Sequence, residues 1–271
     1  MSEPAAIRLG TSAFTAAGWE GAFYPAGLKP ADFLGYYAQQ FDTVEVDSTF
    51  YRIPSPATVR GWYAKTPPHF LFAAKVPQSI THENVLVNCA DEFRKFLVTM
   101  EILGEKLGPL LFQFPYFNRA KFKSGGEFLA RLKPFLEALP QGHRFAVELR
   151  NKYWLDARLA DTLRQRRVAL ALVDHPWLPR PAELFKRFDP ITADFAYIRW
   201  LGDRKGIEER TKTWDKTIVD RGSELREWTS VVYKINGRGV PVFAYANNHY
   251  AGHAPATLRL FQQLFEQSRL A

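Results

Sequence analysis

Cysteine is nearly absent from this chain. Cys89 stands alone, which excludes an intramolecular disulfide and any CxxC redox or metal motif, and fits a reducing compartment. It lies in Val87-Asn88-Cys89-Ala90, just ahead of a predicted helix, the setting of an inert thiol rather than a nucleophile. Long apolar runs are missing too. Nowhere do about 18 apolar residues follow one another, so no helical membrane span is expected. Met1-Ser2-Glu3-Pro4 lacks the basic start and apolar stretch of a secretory leader. These absences lead to the expectation of a soluble, cytoplasmic protein with no membrane partner. Three catalytic signatures are also lacking. The turn Gly10-Thr11-Ser12-Ala13-Phe14 is not the GxGxxG of a dinucleotide-binding sheet. No HxH or HExxH spacing points to a zinc hydrolase, and no GxSxG points to a serine nucleophile.

Hydrophobic residues make up 46% of the 271 positions and charged residues 24%, which supplies a sizeable core and excludes disorder by composition. The net charge of +8 favours anionic partners: an anionic small molecule first, nucleic acid second. The excess is scattered. Its one tight cluster, Arg164-Gln165-Arg166-Arg167, ends a predicted helix, where cations complement the helix dipole without any ligand.

Eight short apolar segments read as strands: 7–14, 43–51, 70–77, 109–115, 144–150, 169–175, 195–201 and 241–248. Helical periodicity fills the gaps at 31–40, 57–65, 91–103, 127–138, 156–167, 223–236 and 255–268. Ser55-Pro56, Ser124 and Asp156 supply helix starts. Strict alternation of strand and helix implies parallel strands joined by crossovers. Eight such units in 271 residues fit an α/β fold of the (β/α)8 TIM-like barrel type, a single domain over 1–271. The longest irregular stretch, about 201–222, carries many charges around Trp214 and reads as either a binding lid or a solvated excursion.

Side chains alternate across a strand, so each segment divides into an outward and an inward set. The inward set is Glu45, Asp47 and Thr49 from the second segment, Lys75 from the third, Gln113 from the fourth and Glu148 with Arg150 from the fifth. Asp174 joins from the sixth, Tyr197 with Arg199 from the seventh, and Arg8, Gly10 and Ser12 from the first. Asn247 and Asn248 close the eighth, and the pattern leaves open which amide faces in. Four acids against four bases is unusual for a barrel interior, which bulky apolar side chains normally dominate. Such charges must pair with one another, bind something or reach water.

Several of these segments together resemble the YecE-like family, known as domain of unknown function 72. They are Val44-Glu45-Val46-Asp47-Ser48-Thr49-Phe50-Tyr51-Arg52-Ile53-Pro54, Phe72-Ala73-Ala74-Lys75-Val76-Pro77 followed by Ile80-Thr81-His82, and Leu111-Phe112-Gln113-Phe114-Pro115. Val147-Glu148-Leu149-Arg150 with Trp154, Tyr197-Ile198-Arg199-Trp200 and Asn247-Asn248 with Gly252 and Ala254 continue the series. The resemblance implies the same barrel but brings no reaction with it. The sequence departs from the family's pattern at Asp47, where Asn is common, at Leu201, where a His often follows the arginine, and at Tyr245-Ala246. The missing His removes one candidate acid or base.

Three chemistries fit the inward set. Glu148, Lys75 and Glu45 are the candidate catalytic groups, two carboxylates and an amine able to divide acid and base roles in hydrolase- or lyase-type chemistry. Ser12, Asp47, Tyr51, Gln113, Arg150, Trp154, Asp174, Arg199, Asn247 and Asn248 are the candidate ligand-binding groups. Among them the arginines suit phosphate or carboxylate. No cofactor is expected; a divalent metal on Glu45, Asp47, Glu148, Asp174, His175, His249 or His253 is the lesser alternative, opposed by the neighbouring cations. A non-catalytic module that binds a small molecule or nucleic acid at the same basic mouth is the reading from another class. The sequence leaves the oligomeric state and the choice between enzyme and binder open.

Overall fold

The computed structural model describes residues 5–270. Among them, eight strands follow one another: β1 (Ile7–Thr11), β2 (Thr43–Val46), β3 (Leu71–Lys75), β4 (Leu107–Gln113), β5 (Phe145–Glu148), β6 (Ala169–Asp174), β7 (Ala196–Trp200) and β8 (Val242–Ala246). The helices are α1 (Phe33–Gln40), α2 (Pro56–Ala64), α3 (Ala90–Met100), α4 (Gly125–Glu137), α5 (Ala157–Arg164), α6 (Pro181–Arg187), α7 (Arg204–Glu208), α8 (Gly222–Asn236), α9 (Asn248–Ala251) and α10 (Ala254–Leu270). The expected caps form: Ser55 accepts from Thr58 N–H, Ser124 from Glu127 N–H and Asp156 from Leu159 N–H. No helix is long and apolar enough to cross a membrane among the described residues.

All ladders are parallel, and their order, β1-β8-β7-β6-β5-β4-β3-β2, is that of a TIM-like barrel in a single domain. Only the β1–β2 seam lacks a strand ladder among the described residues. A side chain from α1 closes it. The buried Tyr37 hydroxyl accepts from Thr11 N–H at 2.7 Å and lies 3.2 Å from the Thr43 carbonyl, to which it donates. Gly10 permits the approach, since a Cβ there would stand 2.0 Å from the Thr43 oxygen.

Outward residues weld the barrel to its helices. Phe72 stacks on Trp62 of α2, Phe112 packs against Phe93 of α3 and Phe135 of α4, and Trp200 meets Trp228 of α8 and Phe261 of α10. Inward, Ala73 pairs in register with Glu45, and Ala171 with Tyr197. These small residues leave room in the lumen for long polar side chains.

Two features differ from the sequence expectation. The strands are shorter than the apolar segments, because the chain turns into 3-10 or looser geometry once polar residues begin; Asp47 already has φ −83 and ψ −16. Helices α6, α7 and α9 were hidden in loops too short to show a helical period. The 201–222 stretch is neither free lid nor plain excursion. It is tied across the β8 and β1 loops, with Trp214 N–H donating to Ala17 O and Ile218 and Val219 N–H donating to Ala251 O.

Candidate functional site

The polar groups gather where the strands stop, at the C-terminal end of the barrel. Pairing in register carries the alternation from strand to strand. Glu45 lies beside Ala73, which puts Lys75 two residues later on the same inner face, and Gln113 lies beside Glu148. Arg199 is the hub of this layer. Its Nε and Nη2 donate to Glu45 Oε1 at 3.1 and 2.7 Å, and its Nη1 donates to Glu148 Oε2 at 2.6 Å. Tyr197 donates to the other Glu45 oxygen at 2.6 Å. Arginine, tyrosine and both glutamates are buried.

Burial by itself would push the Glu148 carboxyl up, but the Arg150 and Arg199 guanidinium groups, helped by Lys75, hold it down at about 2. The Arg199 guanidinium is pulled down by burial and more than restored by Glu45 and Glu148, so it stays charged. Arg150 Nε stands 2.7 Å from Glu148 Oε1 without aiming its N–H at that oxygen. The contact is therefore one of charge, and both atoms are left without a hydrogen bond among the described residues.

Above this layer lie the groups whose charge is not fixed. Lys75 Nζ sits 3.8 Å from the centre of the Phe50 ring, with no hydrogen bond or ion pair among the described residues. Burial and the positive charge of Arg199 lower its amine to about 8, against the pull of Glu148, Glu45 and Asp47. Burial and the charge of Glu45 raise the Asp47 carboxyl to about 6, against Lys75 and Arg199. His82, edge-on to Phe50 and bonded to Thr81, is lowered to about 4 by burial and by Lys75 and Arg150, so its imidazole is neutral at pH 7.

The remaining candidates divide. Ser12 is buried and its Oγ finds no hydrogen-bond partner among the described residues. Gln113 donates to the Phe114 carbonyl at 2.7 Å. Both asparagine oxygens are committed: Asn247 caps α9 by accepting from His249 N–H, and Asn248 accepts from Trp19 Nε1 and Ala254 N–H. Tyr51 is exposed on the rim. Asp47 reaches the mouth from a 3-10 turn, not from the strand face assigned to it by alternation. Trp154 lies outside the mouth, stacked on Phe128 and Phe117 under the β4 and β5 loops.

Asp174 requires a correction. It pairs in register with Trp200, which faces the helices, so Asp174 faces outward with it. There it accepts from Trp228 Nε1 at 2.7 Å and Tyr250 Oη at 3.0 Å and meets Arg180 at 3.2 Å. The error in phase arose because strand six has no polar residue before Asp174 to mark its inner face. Residues 171 and 173, the inward ones, are Ala and Val.

Sequence reasoning left Phe50 and His82 out of the site. His82 lies within a π-helical turn, Ser79–Glu83, beyond the end of β3, and alternation cannot see past the end of a strand. Among the described residues no three His, Cys, Asp or Glu side chains cluster suitably; His253 meets the Trp214 carbonyl and His249 meets Glu208 instead.

A family profile described as "Protein of unknown function DUF72" matches residues 8–271. The chain is 32% identical over 195 residues to the UPF0759 protein YecE of Escherichia coli K12, covering 65% of this chain and 70% of that one. Its fold matches the crystal structure of a DUF72 family protein from Thermotoga maritima with a TM-score of 0.75 at 28% identity, over 98% of this chain and all of the other. A DUF72 family protein from Enterococcus faecalis, 22% identical, shares the fold with a TM-score of 0.74 over 96% and 95% of the two chains.

Proposed function

The chain belongs to the DUF72 family, and from that footing we propose that its barrel mouth binds a small polar anion, bearing phosphate or carboxylate, and transforms it by acid–base chemistry at Lys75 and Asp47. One observation carries this reading. Lys75 is a partly buried amine with no hydrogen bond or ion pair among the described residues, held over the Phe50 ring at the strand ends beside a carboxyl whose charge is equally unsettled. A buried cation without a partner is costly, and an anion removes that cost.

The division of labour differs from a glutamate pair. Glu45 and Glu148 are consumed by Arg199, Tyr197 and Arg150, and a carboxyl held at about 2 does not serve as a general acid at neutral pH. They act as the charged floor that holds Arg199 and Arg150 in place. Lys75, about 8, and Asp47, about 6, straddle neutrality, as an acid and a base working together require. Lys75 protonated holds the anion and gives a proton; Asp47 ionised takes one. Ser12 Oγ and Arg150 Nε are buried polar atoms without a hydrogen bond among the described residues, and an anionic ligand would bring each an acceptor.

Thermal-shift screening of phosphorylated and carboxylated metabolites tests the proposal. A ligand at a hundredfold excess over its Kd stabilises by about 2.7 kcal/mol, several degrees of Tm in a chain of this size. At least one such anion is expected to raise the Tm of the wild type and not of Lys75→Met. Equal shifts in both proteins, or none across the panel, would contradict it.

A further inference from the structure

Beside the mouth, on its β4–β6 side, lies a cleft of about 690 Å³ with a composition of its own. Three of its lining residues, Tyr116, Tyr153 and Trp177, are 64%, 82% and 71% exposed, although large aromatic rings normally bury their faces. They come from three different loops, those after β4, β5 and β6. The cleft also takes in Arg119, Lys123, Arg150 and Lys152, and no acidic residue lines it.

Its base is firmly held. Trp154 stacks on Phe128 with ring centres 5.4 Å apart and an interplanar angle of 22°, and Gly125 leaves space for the indole, since a Cβ there would meet Trp154 at 2.9 Å. Asn151 is buried and clamps the β4 loop by accepting from Phe117 N–H at 2.9 Å and donating to Phe117 O at 2.8 Å. Exposed rings on a rigid base, among cations and without carboxylates, are the recognition elements for a flat ring that carries negative charge.

Extent decides between a single unit and a strand. The neighbouring cleft shares Pro176 and Trp177, but there Asp203, Glu208 and Glu209 offset Arg204, Lys205 and Lys212. The uniformly basic lining therefore stops at Trp177 and gives a polymer backbone no continuous track. A volume of 690 Å³ is that of a small-molecule pocket. We infer that this cleft binds a nucleoside monophosphate, its base against Trp177 and the two tyrosines and its phosphate on the arginine and lysine side chains. The cleft meets the mouth at Arg150 and is otherwise independent of the chemistry assigned to Lys75.

Isothermal titration with AMP, with ribose 5-phosphate and an oligothymidylate as companions, tests this. AMP is expected to bind the wild type, and Trp177→Ala and the pair Arg119→Ala with Lys123→Ala are each expected to weaken it about tenfold, the usual effect of losing a stacking ring. These side chains are exposed, so the variants keep the fold; circular dichroism confirms it. Lys75→Met should bind AMP as the wild type does, which separates this cleft from the mouth. Ribose 5-phosphate binding as tightly as AMP would overturn the role of the ring. The oligothymidylate binding far more tightly than AMP would replace the single unit by a strand. Loss of AMP binding in Lys75→Met, or AMP binding unaffected by Trp177→Ala, would place the nucleotide elsewhere and end the proposal.

Discussion

At the scale of the residue, Arg199 decides most. It is the shared partner of two fully buried carboxylates, and removing one member of a buried ion network leaves uncompensated charge costing about 3–5 kcal/mol. Arg199→Met is therefore expected to lose about that much in urea unfolding, and Arg199→Met combined with Glu45→Gln and Glu148→Gln to recover a good part of it. A single variant within 1 kcal/mol of wild type, roughly the scale of an exposed pair, would mean that the network is open to water. Lys75 has the opposite signature. Its folded amine is lowered to about 8, so between pH 8 and the ordinary lysine range the unfolded chain holds a proton the folded chain has released. Stability contributed by this group is lowest below about pH 8 and rises with pH across that window. Lys75→Met lacks the rise and is expected to be more stable than wild type at pH 7, by on the order of 3 kcal/mol at 1.4 kcal/mol per unit. Identical pH slopes in the two proteins would refute the assignment. Asp47 runs the other way. With its carboxyl raised to about 6, its contribution falls as pH rises between 4 and 6.

At the scale of the element, the legible part of the sequence was the alternation inside strands. It placed Glu45, Lys75, Gln113, Glu148, Tyr197 and Arg199 inward, because each has apolar neighbours of fixed phase on the same strand. It failed at Asp174, where both faces of β6 are apolar, and beyond the strand ends, where Asp47, Phe50 and His82 are placed by short 3-10 and π turns with no period to read. The seam between β1 and β2 was also beyond reach, since nothing in a linear pattern pairs a helix tyrosine with two strands 6 and 26 residues away. Tyr37→Phe deletes the hydroxyl's buried hydrogen bonds with the Thr11 N–H, the Thr11 hydroxyl and the Thr43 carbonyl, and strands the Thr11 N–H. A loss of about 1–3 kcal/mol is expected from that desolvated donor, together with faster amide exchange at Thr11. Unchanged stability and protection would show that the seam closes without the hydroxyl.

At the scale of the whole molecule, strand count and strand–helix alternation were enough to specify the barrel, because eight parallel strands joined by seven crossovers of this length have few other ways to cover their sheet. The working end follows from that architecture, since inward charges late in the strands can only meet at one mouth. Under the proposed function, the net charge of +8 adds a longer-range attraction for anions. Binding of any anionic ligand is accordingly expected to weaken as ionic strength rises, most steeply in its association rate, and a salt-independent rate would remove the electrostatic part of the account. At the mouth itself, Lys75 has no hydrogen bond or ion pair among the described residues, and the anion proposed above is expected to supply its partner. An NMR titration of the Lys75 side chain tests it directly. A midpoint near 8 that moves upward when inorganic phosphate is added is expected; a midpoint in the ordinary lysine range that phosphate leaves unmoved would rule out an unpaired, anion-binding Lys75.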